Sequence, residues 1–474
     1  MHVQGAFAQL RSFSTRVALL AVVGQALIGC PSKTAPSPSE ATKTSKTKKR
    51  SKSDEPREES GHALAGPRVH AVIVGVLEFG EPGVAGWSKV DRKDRELYDA
   101  LLARGVPKKN ITLLLDRKAG HAAVFSALKA AARKVKPEDT FLFYYAGHGV
   151  RDGDGAAHFM AYDTRTGQFD ATGLAIARIG KTVAELSRGR RAFLMADACY
   201  SGALARAADT ISKRGDVQAI SLTSAEASNV STNNWTFTQT LLDGLSGDPL
   251  MDRDGDGAVT LGEVAEAVAD GMKYREKQRH GYHRKPGADG LVLANASAPA
   301  PERGTGALAV GRYVLAPRDG QRQVAQIRAQ KGSRRVVRFY DYNHGIDRTL
   351  SASKLKPITF ERYPKGARLR VFWGKDLYDA KVLRREDDFH LITYPGWGAE
   401  WNEWVMSDRI ASDANGADAK VAKGDRIEVE WRGSWWPATV RKRRSGRYLI
   451  HYTDYGDDWD EWVGPDRIRQ VAER

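Results

Sequence analysis

The sequence predicts an α/β domain with a mostly parallel sheet covered on both faces, followed by several small β-barrels. Three observations predict it. Between residues 68 and 297, β-branched apolar runs alternate with amphipathic helix patterns, the signature of repeated βα units. Beyond a linker at 298–306, rich in Ala and Pro, the strands become short, basic and aromatic, and nine of the eleven tryptophans lie past residue 370. That second half also repeats itself with a period of roughly fifty to sixty residues, within the range of repeat architectures. At 474 residues the chain is too long for one ordinary domain.

Residues 1–30 are expected to stand outside the fold. Arg11 and Arg16 precede an apolar run, 17–29, that is too short to span a bilayer comfortably, which is the pattern of a secretory signal. The run ends Leu27, Ile28, Gly29, Cys30 and resembles the lipobox of bacterial lipoproteins. The resemblance implies acylation of Cys30 and a tether to a bacterial envelope membrane, on its periplasmic or surface face. An ordinary cleaved signal with an incidental cysteine is the alternative. Residues 31–67 are Ser, Lys, Pro and Thr with almost nothing apolar, so they read as a disordered tether. The net charge of +16 and pI near 9.6 suit anionic partners such as a membrane surface or an envelope polymer. The chain has two cysteines, Cys30 and Cys199. Lipidation of Cys30 leaves Cys199 without a disulfide partner in an oxidising compartment, so that thiol is either buried and inert or kept for chemistry.

Within the first domain, strands are predicted at 69–76, 111–115, 140–145, 191–196 and 219–223, and helices at 91–104, 121–134, 179–186 and 236–245. Two of the strands end in small-residue turns that carry one reactive side chain each. Residues 144–149 read Tyr-Tyr-Ala-Gly-His-Gly and residues 197–202 read Asp-Ala-Cys-Tyr-Ser-Gly. Functional groups collect where parallel strands end, and an imidazole beside a thiol is the minimum equipment for nucleophilic acyl transfer.

These two motifs, in this order and each preceded by a strand, resemble the histidine and cysteine motifs of the caspase and metacaspase superfamily. The resemblance covers about 230 residues and implies a caspase-like three-layer sandwich and a cysteine endopeptidase. By that likeness, Cys199 is the nucleophile, His148 the general acid and base, and the N–H groups of Gly149 and Cys199 the oxyanion hole. A thiolate activated by a protonated His148 is expected. In metacaspases the acid corresponding to Asp197 lines the primary pocket and favours Arg or Lys before the scissile bond, so protein substrates with a basic P1 residue are implied. Asp163 is expected to assist it. A degenerate, non-catalytic domain that only binds is the competing class. The stretch 206–216 reads as a basic loop, and Lys213 and Arg214 within it suggest autoprocessing.

Residues 252–263 fit the twelve-residue EF-hand loop at each informative position. Asp252, Asp254 and Asp256 supply oxygens, Gly257 turns the chain, Ala258 offers its carbonyl, Thr260 takes the ninth place and Glu263 closes the loop. Ca²⁺ is the expected cofactor, either as a structural brace, the favoured role for a solitary loop, or as an activator.

The repeats lie at 307–358, 363–412 and 421–472, the first being the weakest. The last two align through Trp373 and Trp431 and through the motifs Trp401-Asn-Glu-Trp-Val and Trp459-Asp-Glu-Trp-Val. They resemble Tudor, agenet and Tudor-knot modules, which implies SH3-like five-stranded barrels. Some such modules hold methylated cations in an aromatic cage. Candidates here are Trp435, Tyr452, Tyr455 and Trp459, with Trp397 and Trp401 in the middle copy. Core packing is the plainer role for these rings. Modified peptides or anionic polymers are the expected ligands; nucleic acid suits an exported protein poorly.

Overall fold

The computed structural model describes residues 61–470 except 230, 232–233, 342–343, 374–375, 412–420, 432–433 and 445. The signal segment, Cys30 and nearly all of the tether lie outside the described residues. Among the described residues no helix is long and apolar enough to cross a membrane.

The first domain begins β1 (Val69–Gly75), α1 (Lys93–Ala103), β2 (Ile111–Leu115), α2 (His121–Lys134), β3 (Thr140–Ala146). A small sheet of β4 (Gly149–Arg151), β5 (Ala157–Phe159) and β6 (Leu174–Ala175) follows, with a one-turn helix α3 (Phe169–Thr172) between the last two. The chain continues through α4 (Ile176–Leu186), β7 (Arg191–Asp197), α5 (Leu204–Ser212), β8 (Gln218–Thr223), α6 (Thr236–Leu245), β9 (Ala258–Thr260), α7 (Leu261–Tyr274), β10 (Gly281–His283) and β11 (Val292–Asn295). The central sheet runs β10-β8-β7-β3-β1-β2, parallel except for β10 at its edge.

Why β1, β3 and β7 read as unbroken apolar runs is plain from their surroundings. Their alternate residues enter two separate cores. Ala71, Ile73, Leu142, Tyr144, Phe193 and Met195 pack with α1, α6 and α7. Val72, Val74, Phe143, Tyr145 and Leu194 pack with α2, α4 and α5 on the opposite face. This is the three-layer caspase-like sandwich. One local expectation fails: the stretch from 206 is helix α5, not a loop, because Leu204, Ala207, Ala208 and Ile211 recur at helical spacing and are buried. Only the turn after Ser212 is non-helical, and there Arg214 donates to the Ser187 carbonyl.

The C-terminal half forms three antiparallel sheets. The first has order β15-β14-β13-β12-β16, from β12 (Tyr313–Arg318), β13 (Gln321–Lys331), β14 (Arg334–Asp341), β15 (His344–Ser351) and β16 (Lys356–Pro357). The second comprises β17 (Arg368–Trp373), β18 (Asp376–Glu386), β19 (Phe389–Thr393) and β20 (Glu403–Val405). Its fifth position is reduced to one bridge between Val371 and Ile410. The third has order β24-β23-β22-β21-β25, from β21 (Arg426–Trp431), β22 (Ser434–Arg444), β23 (Arg447–Tyr452), β24 (Glu461–Val463) and β25 (Ile468–Gln470).

The first two barrels touch the α/β domain. Leu250 completes the first barrel's core with Val314, Ile327, Val337 and Phe339. The second barrel lies against the loop after β8: Asn229 Nδ2 donates to the Trp404 carbonyl at 2.7 Å, and Trp404 N donates back to Asn229 Oδ1 at 3.3 Å. Arg279 pairs with Glu386 at 2.5 Å and its guanidinium lies over the Trp404 ring.

Candidate active site

β3 and β7 are neighbours in register, with Ala146 opposite Asp197, so the turns that follow them are side by side. Glycine is required at two places here. Gly147 has φ of 149°, and a Cβ on it would lie 2.5 Å from Tyr145 Oη. A Cβ on Gly149 would lie 1.8 Å from the Cys199 carbonyl oxygen. The two turns therefore meet main chain to main chain. One cavity results, lined by Leu77, Trp87, Ala146, Gly147, His148, Asp197, Ala198, Cys199, Ser231, Asn234 and Trp235.

His148 is held by its own surroundings. Nε2 lies 2.8 Å from the Ala85 carbonyl oxygen, which accepts only, so Nε2 carries the hydrogen and Nδ1 of the neutral ring is left as the base. The Trp87 and Phe79 rings lie 4.2 and 4.9 Å away by centroid. Burial lowers the imidazole's pKa to about 4, against a smaller opposing effect of the Ala85 hydrogen bond. Cys199 Sγ accepts from Ser231 N at 3.1 Å. Burial pushes its pKa up, while the N–H groups of Ser231, Cys199 and Gly149 pull it down. Burial thus drives both groups toward their neutral forms. Enclosure penalises the charged form of each. The Gly149 and Cys199 N–H groups thus both reach the sulfur.

Asp197 lies at this cavity with Oδ2 accepting from Thr238 Oγ1 at 2.7 Å and from Thr238 N at 3.3 Å. Burial raises its pKa to about 7, the Thr238 and Ser224 hydrogen bonds lower it, and the charge of Glu276 raises it. Asp163 is placed elsewhere. Its Oδ1 accepts from His121 N at 2.7 Å, so it caps the start of α2 and does not line the cavity. The chain after β5 returns along the helix terminus, where a carboxylate satisfies a free N–H. Ala85, Phe79, Ser231 and Asn234 escaped the sequence reading. One signal was available: the two tryptophans outside the barrels, Trp87 and Trp235, both line this cavity.

The 252–263 loop has the hydrogen bonding of a cation-binding turn. Asp252 Oδ1 and Oδ2 accept from Gly255 N (2.7 Å) and Gly257 N (3.0 Å), and Glu263 Oε2 accepts from Thr260 N (2.8 Å) in a capping box. Carboxylate oxygens of Asp252, Asp254 and Asp256 lie within 4.8 Å of one another. Hard oxygen donors at these positions, with the Ala258 carbonyl, fit Ca²⁺. The short strand β9, which a second EF loop would normally pair, is instead paired by β11.

In the third barrel Trp431, Trp436, Tyr455 and Trp459 form a ring cluster with centroids 5.3–6.1 Å apart. Trp435 is not in it. Residues alternate faces along β22, so Trp435 lies under the Arg469 guanidinium and Trp436 takes its place. Tyr452 is buried at the cluster's edge, its hydroxyl donating to Glu461 at 2.7 Å. The middle barrel repeats the arrangement with Trp373, Tyr378, Trp397 and Trp401. The glutamate of each Trp-x-Glu-Trp motif is a structural anchor: Glu403 pairs with both Arg409 amino groups, and Glu461 with those of Arg467.

Two family models match the chain: the caspase domain over residues 70–298 and the Agenet domain over 424–473. The chain thus carries a caspase-like domain followed by Tudor- and agenet-like repeats. Among curated proteins, a NuA4 complex subunit EAF3 homolog of Drosophila melanogaster is 32% identical over 71 residues, covering 12% of this chain and 17% of that protein. The chain therefore spans less than a fifth of that relative. Among solved structures, protein GSU0716 from Geobacter sulfurreducens matches at 14% identity and TM-score 0.34, over 49% of this chain and 100% of that one. The four MBT repeats of Drosophila melanogaster Sfmbt, in complex with peptide RHR (me)K VLR, match at 12% identity and TM-score 0.21, over 35% and 65%.

Proposed function

We propose that the chain is a caspase/metacaspase-like cysteine endopeptidase that cleaves after Arg or Lys through Cys199 and His148, tethered to a bacterial envelope membrane by a lipid on Cys30. The observation that carries this reading is the single cavity at which thiol, imidazole and the Asp197 carboxylate meet. His148 Nδ1 takes the thiol proton as Sγ bonds to the peptide carbonyl carbon. The N–H groups of Gly149 and Cys199 receive the oxyanion. The imidazolium, held by the Ala85 carbonyl, then gives its proton to the leaving amine as the C–N bond breaks, leaving a thioester. Water, deprotonated by His148, hydrolyses the thioester and restores the thiol. Asp197 holds the cationic side chain of the substrate.

In this reading Ca²⁺ sits in the 252–263 loop on Asp252, Asp254, Asp256, Ala258, Thr260 and Glu263, where it supplies positive charge against clustered carboxylates. Bracing suits it because the Asp252 and Leu250 carbonyls also accept from Arg303, which ties the loop to the linker of the first barrel. The aromatic clusters of the last two barrels suit a cationic, modified peptide.

The test is hydrolysis of a fluorogenic peptide with Arg at P1 by the full chain in calcium. Cys199→Ala and His148→Ala are each expected to lose about 10³-fold or more. If the wild type neither turns over nor is labelled by a peptidyl-arginyl electrophile, the chain is an anchored binding protein instead.

A further inference from the structure

Asn234 lines the same cavity as Cys199 and Asp197, two residues before α6 begins. Its Nδ2 donates to Glu276 Oε2 at 2.9 Å, and Thr236 Oγ1 donates to the other oxygen of Glu276. A carboxylate only accepts, so it decides which end of the amide it meets: Nδ2 turns to Glu276 and Oδ1 turns away. That Oδ1 is buried and has no hydrogen-bond partner among the described residues. A buried acceptor left unmatched is costly to a folded protein, and beside a cavity a ligand's donor is one means of matching it. The missing donor here has a defined character. Asn234 shares its cavity with Asp197, and the Glu276 charge stands close enough to raise that carboxylate's affinity for a proton. Two acceptors in an acidic enclosure call for a cation with several N–H groups.

We propose that Asn234 is a specificity-determining residue: its Oδ1, aimed by Glu276, accepts from the guanidinium of a substrate arginine whose remaining N–H groups meet Asp197. The inference rests on the peptidase reading above and narrows its substrate class to arginine over lysine. A guanidinium carries five N–H groups in a rigid plane and spans two acceptors at once, whereas an ammonium is a compact point charge. Glu276 is a positioning residue. With Glu276→Gln the amide of Asn234 loses the partner that fixes its orientation.

The experiment compares matched Arg and Lys peptides on the full chain, together with benzamidine binding by calorimetry. Benzamidine presents the same N–H edge and needs no turnover. Asn234→Ala is expected to lower kcat/KM for the Arg peptide about 10- to 100-fold, the range for a hydrogen bond to a charged group, and that for the Lys peptide less than about threefold. The benzamidine Kd should rise by a similar factor, with Glu276→Gln falling between wild type and Asn234→Ala in the Arg-to-Lys ratio. Equal losses on both peptides, or no loss with benzamidine affinity kept, overturn the proposal while leaving the peptidase reading in place. If the wild type cleaves neither peptide, the peptidase reading fails. The inference then falls with it, whatever the benzamidine affinity.

Discussion

At the scale of single residues, the cavity brings together groups that burial shifts in opposite directions. Asp197 is raised from the ordinary carboxylate value of 3.8 to about 7 and His148 is lowered from 6.5 to about 4. Between pH 3.8 and 7 the folded chain holds the Asp197 proton more tightly than the unfolded chain does, so that group's contribution to stability declines as pH climbs through this window. His148 works the other way: its contribution rises with pH from about 4 to 6.5. Asp197→Asn should therefore gain on the order of 2–3 kcal/mol over the wild type between pH 5 and pH 8, read by urea unfolding at the two values. Under the proposed function, kcat/KM for an Arg peptide should climb across a limb near pH 7 that Asp197→Asn lacks. The first domain's single cysteine and a histidine between glycines announce themselves in a sequence because their chemistry is rare. The Ala85 carbonyl that orients the imidazole does not, since every residue has a carbonyl and only the folded path of 79–87 selects this one.

Elements were legible wherever period and burial agree. β3 and β7 are apolar throughout because helices cover both faces. α5 is the exception: its four buried apolar residues keep helical spacing, but two of them are alanines, and Arg206, Asp209, Lys213 and Arg214 give the stretch the polar character of a loop. The misplacement of Trp435 is a register error of one residue, which in a strand reverses the face. The calcium-type loop is legible from its own twelve residues, whereas its pairing with β11, some thirty residues on, leaves no mark there. That pairing makes the loop part of the α/β domain's own architecture. Calcium should then stabilise the whole domain by roughly 2.7 kcal/mol at a hundredfold excess over Kd. A chelator-sensitive rise in Tm, absent in Asp252→Ala, is the expected result in thermal denaturation; equal Tm values with and without calcium would count against it.

The whole molecule is less modular than its sequence suggests. The second barrel clamps the loop after β8 at Asn229, and Arg151 of β4 donates at once to the Glu400 carbonyl in that barrel and to the Ala227 carbonyl in the loop. The same loop carries Ser231, whose N–H holds the Cys199 sulfur, and the Asn229 carbonyl that accepts from Tyr200 N. The barrel's aromatic cluster includes Trp401, one residue from Glu400. Contacts across such separations leave no trace in local pattern, which is why the repeats read as independent appendages. Asn229→Ala should lower amide hydrogen-exchange protection across 224–229 about tenfold, the cost of roughly one buried hydrogen bond. Unchanged protection there would show the clamp to be idle.

Asn229 and Trp404 are 175 residues apart in the chain. At ordinary rates of synthesis the ribosome needs roughly 10 to 30 s to pass from one to the other. For the later part of that interval, once β10 and β11 are made, the α/β domain has its sheet, its thiol and its imidazole, yet the loop that carries Ser231 lacks the clamp. The loop that holds the thiol is thus clamped by a segment made long after the thiol itself, and synthesis of the second barrel sets the moment at which that loop takes its final form.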